Sequence, residues 1–187
     1  MSQVEWSPRL ARDGDVPALG ALIPASVRSL QAPYYSRAQM DAAIGSVFGV
    51  DRQLVRDGTF FVVEDGGRIV GCGGWSRRAS LCGGDDGRGA EDPELDPRVD
   101  PARIRAFFVL PAWARRGVGR SIMAACERAI SGAGFRSVVI MSTLAGEPLY
   151  ASFGYTVSER SDIDMAGGLK LPVVRMERRL SGPVQPP

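Results

Sequence analysis

The sequence predicts an α/β (α+β) fold: a single domain with a mixed, twisted sheet of about six or seven strands, a parallel βαβ core and about four flanking helices. Three observations predict it. An alternating run "ARIRAFFVL" (102–110) is followed by a helical stripe of Val118, Ile122, Cys126, Ala129 and Ile130 and then by the apolar run "SVVIMS" (137–142). A strand, a helix and a second strand in that order make a right-handed crossover, which sets the two strands parallel. Upstream, "TFFVVEDGGRIVGCGGWS" reads as a hairpin, Phe60 to Glu64 and Ile69 to Trp75 around a Gly66-Gly67 turn. Finally, 187 residues with 44% hydrophobic and 24% charged side chains supply one well-buried core without the charge excess of a disordered chain.

Taken in order, a short strand is expected around Pro8 to Arg12, and Asp15 is positioned to cap a helix carrying Val16, Leu19, Leu22 and Ile23 at helical spacing. Ser36 caps a second helix across "SRAQMDAAIGSVF" (36–48). Residues 82–101 are rich in Gly, Pro and Asp and have no apolar periodicity, which predicts a long flexible loop inside a domain spanning 1–180. Its carboxylates, Asp85, Asp86, Glu91, Asp92, Glu94, Asp96 and Asp100, either attract a cationic acceptor or are simply solvated.

The strand that follows sets Ile104, Ala106, Phe108 and Leu110 on one face and Arg103, Arg105, Phe107 and Val109 on the other, until Pro111 ends it. The next helix stops near Gly132 and Gly134, and "SVVIMS" is apolar nearly throughout, as a buried parallel strand would be. A short helix over "GEPLYASF", a strand from about Tyr155 to Met165 and a last strand "LPVVRMERRL" complete the domain, leaving 181–187 as a disordered tail.

Composition excludes several functions. A net charge of +2, from 23 basic and 21 acidic residues, offers no overall field for nucleic acid or an anionic membrane. The opening "MSQVEWSPRLARDGD" has no apolar leader-like core, so a cytoplasmic protein is expected. Cys72, Cys82 and Cys126 are too scattered for a disulfide framework or zinc site, and no metal is expected. The count of histidines is 0, which removes Ser-His-Asp, Cys-His and His-metal chemistry.

The stretch "WARRGVGRSI" (113–122) lies between a strand's carboxyl end and a helix's amino end. Unpaired amides and the positive end of the helix dipole meet there, which is the construction of an anion site. Gly117 and Gly119 let an anion approach the amides, and Arg115, Arg116 and Arg120 add charge at the rim. Ile122 stands where a dinucleotide fingerprint needs its third glycine, and the GK[ST] ending of a P-loop is missing. From these letters alone, a phosphate cradle and a bare glycine turn both remain open.

The span from Val109 to Tyr155 resembles the core of the GNAT superfamily of N-acetyltransferases, whose pattern is a strand, (Q/R)-x-x-G-x-(G/A) opening a helix, a second strand and a downstream Tyr-x-x-x-Gly-aromatic stretch. Gly117 and Gly119 match the first part, and Tyr150, Gly154 and Tyr155 match the second. Ala114 replaces the first Gln or Arg, while Thr143 and Gly146 stand where the family often has Asn and Ala.

The resemblance implies an acetyl-CoA-dependent acyltransferase with the cosubstrate in a splay between the two parallel strands. Backbone groups of Phe107, Phe108 and Val109 would pair with the pantetheine arm, and the amides of Arg115, Arg116, Gly117, Val118, Gly119 and Arg120 would take the pyrophosphate. Thr143 would contribute from the second strand. Tyr150 would be the general acid to the departing thiolate, with an amide near Val109 stabilising the oxyanion. The acceptor would be a small-molecule or peptide amine, and a homodimer is an expectation from the resemblance alone.

The general base stays open among Glu147, Glu64, Asp100, Glu94 and a water chain, which Ser142 would position. Tyr34, Tyr35 and Trp75 either line an acceptor pocket or pack in the core or on the surface, Cys126 falls on the buried stripe, and Cys82 is a candidate acyl relay. Two other functions remain at this stage: a non-catalytic acetyl-CoA sensor, and an interaction module that uses the acidic loop.

Overall fold

The computed structural model describes residues 5–81 and 92–180. Cys82, the acidic residues Asp85, Asp86 and Glu91, and the tail 181–187 lie outside the described residues, so the expectations for them are not addressed by the structure. The chain runs β1 (Arg9–Leu10), α1 (Val16–Leu30), α2 (Arg37–Ala43), α3 (Arg52–Arg56), β2 (Phe60–Asp65), β3 (Arg68–Ser76), β4 (Ala102–Val109), α4 (Val118–Gly132), β5 (Ser137–Thr143), α5 (Glu147–Ala151), β6 (Thr156–Asp164) and β7 (Lys170–Arg179). The described strands form one 7-stranded sheet in the order β1-β2-β3-β4-β5-β7-β6. Only β4 and β5 are parallel, joined across α4 as the crossover requires.

The core forms where α1 and α4 lay their apolar stripes on β3 and β4. Leu19, Leu22, Ile23 and Val27 of α1 and Val118, Ile122, Met123, Cys126 and Ile130 of α4 are buried, which is the helical spacing read from the sequence. Burial leaves the Cys126 thiol well above its usual value, so it packs as a small apolar residue.

Several local expectations are corrected by the structure. Asp15 stands at the N-cap of α1, yet its carboxylate is drawn to Arg9 and to the Arg12 amide, not to the helix. Ser36 does cap α2, in a reciprocal box with Gln39, but the helix ends at Ala43 instead of running to Phe48. Gly45 takes φ +95, a left-handed turn that stops the helix and folds Phe48 back into the core against Phe108. The sequence reading did not include α3, which brings the described α-helices to five; Asp51 starts it by accepting from the Leu54 amide.

Residues 92–101 are pinned by hydrogen bonds. Leu95 N donates to Arg77 O at 2.7 Å, Ala79 N donates to Pro93 O at 3.0 Å, and Arg78 pairs with Asp57 at 2.9 Å. Asp57 is partly desolvated, but its bonds to Arg78 and Gln53 outweigh that and hold its carboxyl below the usual carboxylate range.

Candidate active site

The strict alternation expected for β4 fails at one point, and that failure shapes the site. Ala106 has φ +56, and the β3–β4 register slips between Cys72 and Gly74, so Ala106 and Phe107 form a bulge opposite Gly73. The Phe107 ring consequently lies on Gly73, where an added Cβ would sit 2.6 Å from the ring. Gly73→Ala is therefore expected to cost about 1–3 kcal/mol by overpacking, measured as a lower urea midpoint with an unchanged m-value.

Just before the bulge, β4 leaves its parallel partner. The two strands pair only at Ala102–Val138, Arg103–Val139 and Ile104–Ile140. The splay holds a cavity of about 100 Å³ lined by Ile104 to Phe108, Ile140 to Thr143, Gly146 and Tyr150, with Gln31, Val47, Phe48, Leu81 and Ile163 among the other walls. This opening at the carboxyl ends of parallel strands is where an α/β sheet offers a ligand site.

At the same end of β4, the chain makes a short 3-10 turn at Pro111–Trp113, extends at Ala114, and enters left-handed geometry at Arg115 (φ +61) and Gly117 (φ +88). Glycine suits that second turn because a side chain there would be strained. The first bond of α4 is Ser121 N to Gly117 O at 2.9 Å, so the amides of Val118, Gly119 and Arg120 have no partner among the described residues. Arg115, Arg116 and Arg120 are exposed around them. Trp6, absent from the sequence-based expectations, donates from Nε1 to Arg116 O at 2.7 Å and ties the N-terminal segment to this loop.

Tyr150 reaches the cavity from α5 with 5% of its surface exposed. Its ring meets Phe107 and Tyr155 edge-on, at centroid distances of 6.1 and 6.2 Å. Gly146 makes this placement possible, since a Cβ there would lie 3.0 Å from both Tyr150 Cε2 and Ser142 Oγ. Burial, assisted by the neighbouring Cys126, pushes the Tyr150 phenol well above its ordinary value, so it carries its proton at neutral pH.

Other expected residues are occupied. Thr143 lines the cavity, but its Oγ1 accepts from Gly146 N at 3.2 Å and so closes the turn into α5. The Ser142 hydroxyl donates to Thr143 O at 2.7 Å, and Val109 N donates to Ser26 Oγ at 3.3 Å. None of the four base candidates lines the cavity. Glu147 pairs with Arg160, Glu64 with Arg9 and Glu94 with Arg78, while Asp100 accepts from the Asp96 amide.

The aromatic acceptor candidates fare similarly. Tyr34 is 49% exposed, Trp75 is buried edge-on against Phe135, and Tyr35 spends its hydroxyl on Pro172 O and the Leu144 amide. None of these three lines the cavity.

Two residues of the cavity wall were not among the site candidates. Arg105 is buried and pairs with Asp51 at 3.0 Å, their side chains only 2% and 1% exposed. Gln31 is 7% exposed and lines the cavity, and its Oε1 has no hydrogen-bond partner among the described residues. A signal for Gln31 was present: the stripe of Leu19, Leu22, Ile23 and Val27 continues onto position 31, so Ser26 and Gln31 are polar residues on a buried face.

Comparison with known proteins decides the family. Residues 56–157, more than half of the chain, match the acetyltransferase (GNAT) domain. The chain belongs to the GNAT acetyltransferase family. Its fold is similar to that of a GCN5-related N-acetyltransferase from Rhodopseudomonas palustris (TM-score 0.71, 20% identity, 96% of this chain and 99% of that one). PaiA N-acetyltransferase from Thermoplasma acidophilum, in complex with coenzyme A, aligns with a TM-score of 0.63 and 12% identity over 95% of this chain and 100% of that one. YncA from Salmonella typhimurium, solved with its cofactor acetyl-CoA, aligns with a TM-score of 0.62 and 18% identity over 98% of each chain. Identities this low establish the fold alone. No curated protein sequence matches the chain.

The GNAT match covers the glycine loop, the splay and Tyr150, but Gln31, Phe48, Asp51, Ile163 and Val173 fall outside it. No helix among the described residues is long and apolar enough to cross a membrane.

Proposed function

We propose that this GNAT chain is an acetyl-CoA-dependent N-acetyltransferase that moves an acetyl group directly to a primary amine, with Tyr150 as the general acid. The observation that carries this reading is the splay itself: unbonded α4 amides at its outer end and a protonated tyrosine on its wall, along one edge of the sheet.

The residues present fit the cosubstrate. The amides from Arg115 to Arg120, at the positive end of α4, suit a pyrophosphate, with the three exposed arginines adding charge. Backbone groups of Phe107, Phe108 and Val109 face a gap where β5 no longer pairs with β4, and an extended pantetheine arm would take that strand's place. The Val109 amide would exchange its Ser26 partner for the ligand. Thr143 stands on the wall with Oγ1 accepting from Gly146 N within the turn, which leaves its hydroxyl proton to donate to the cosubstrate.

Bound acetyl-CoA supplies a thioester carbonyl. The acceptor amine forms the new N–C bond as the C–S bond breaks, Tyr150 Oη passes its proton to the departing sulfur, and the nitrogen's surplus proton leaves through water to solvent or back to the phenolate. A water route matches a described cavity wall that carries no carboxylate.

The test is thermal. Acetyl-CoA at about 100 times its Kd should stabilise the fold by about 2.7 kcal/mol and raise the melting temperature. Gly119→Glu should abolish that rise. A glutamate in the first turn is favourable to the helix itself, and the tightest contact of its Cβ is 3.3 Å to Leu149 Cδ2, at the flexible end of a side chain. A shift unchanged by this substitution would remove the phosphate cradle from the proposal.

A further inference from the structure

The acceptor half of the cavity has a chemistry of its own. Its walls at Val47, Phe48, Leu81 and Ile163 are apolar. Among the described lining residues Arg105 is the one formal charge, and it is held by Asp51 at 3.0 Å and donates to Ser80 O at 3.3 Å. The described lining residues thus offer no carboxylate to a second ammonium group and no uncommitted cation to a carboxylate.

Against this background, Gln31 stands out. Its Oε1 is cut off from solvent, and a buried carbonyl oxygen without a donor is costly unless a ligand supplies one. The Gln31 side chain makes no hydrogen bond to any described residue, so no contact among the described residues requires the amide. Ser142 and Thr143, by contrast, have partners within their own turn.

Resting on the acetyl-transfer reading, we infer that the acceptor is a compact primary amine on an uncharged alkyl or arylalkyl skeleton, its N–H received by Gln31 Oε1 once the unbonded side-chain amide turns that oxygen from the interior to the cavity. The volume agrees with the chemistry. A cavity of roughly 150 Å³ takes one benzene, and the present one, about 100 Å³, must admit the acetyl terminus as well as the amine head. A slim head fits; a branched polycation does not. An ammonium entering this site is also easier to deprotonate than in water, because the apolar walls disfavour its charge.

The experiment is a panel of amines assayed for thiol release with mass-spectrometric confirmation of the product. Butylamine, benzylamine and phenethylamine are compared with norleucine and phenylalanine, with spermidine and with a lysine-containing peptide. The simple amines are expected to exceed the others in kcat/KM by on the order of 100-fold, because a second charge carried unpaired against apolar walls is costly to desolvate. A preference for the amino acids, spermidine or the peptide overturns this inference and leaves acetyl transfer standing. Acetylation of no amine, with acetyl-CoA still bound, overturns both.

A second arm isolates the residue. Gln31→Met should raise the amine KM on the order of tenfold, leave the KM for acetyl-CoA unchanged, and keep or raise the melting temperature, because it removes an unsatisfied buried oxygen. An unchanged amine KM, or a clear loss of stability, assigns Gln31 to the fold and overturns its role in recognition.

Discussion

Replacing Arg105 by methionine is expected to destabilise the fold by about 3–5 kcal/mol, because it strands the Asp51 carboxylate in the core without its counter-charge. The whole stability of such a domain is typically about 5–15 kcal/mol, so the loss should appear as a large fall in the urea midpoint. Asp51→Asn tests the other side. Asparagine keeps an oxygen for the Leu54 amide, which Asp51 Oδ1 accepts at 3.3 Å, but leaves the guanidinium buried with one charged partner fewer. Combining the two substitutions should recover most of the loss, since a neutral pair no longer carries an uncompensated charge, and the double-mutant cycle should give strongly non-additive energies. Additive losses would mean that Arg105 acts through packing of its stem and not through Asp51. The pair also matters locally: Arg105 precedes the bulge at Ala106, so a charge committed to Asp51 and α3 anchors β4 where it parts from β5.

The contrast between Arg103 and Arg105 marks the limit of what the sequence could say. Period-two alternation places both on one face, yet Arg103 remains half-buried beside the Pro101 carbonyl while Arg105 is sealed into the interior. The difference arises from what covers each one: Asp51, at the start of α3, meets Arg105, while Arg103 reaches only the carbonyls of Ala79 and Pro101. No local window on β4 contains that information. The βαβ core, the hairpin, the α4 stripe and the glycine loop were legible because each is written in its own segment: apolar spacing, paired glycines, and a helix start beside Gly117. Tyr150 was legible through its resemblance-matched spacing to Gly154 and Tyr155. The acceptor wall was not, because it gathers Gln31, Phe48, Leu81 and Ile163 from four separate elements or loops with no shared motif. The choice between pocket and packing for Tyr35 was hidden for the same reason, since its hydroxyl is claimed by Pro172 and Leu144, more than a hundred positions away in sequence.

Tyr150→Phe is expected to lower kcat on the order of 10²- to 10⁴-fold, the usual contribution of a positioned general acid, with little change in the KM for acetyl-CoA. Phenylalanine retains the ring that packs between Phe107 and Tyr155, so the fold and the splay should survive, and an unchanged melting temperature checks this. The pH profile supplies an independent test. An acid must hold its proton to work, and a pKa raised by burial moves the loss of that proton above the ordinary tyrosine value of about 10. The rate should therefore rise with pH as the amine becomes neutral and show no fall up to at least about pH 10, the unperturbed tyrosine value. A descending limb near pH 8 in the wild-type enzyme, or full turnover by Tyr150→Phe, would transfer the acid role to another group. A profile without a descending limb together with a slow Phe variant leaves the buried phenol as the proton source for the departing sulfur.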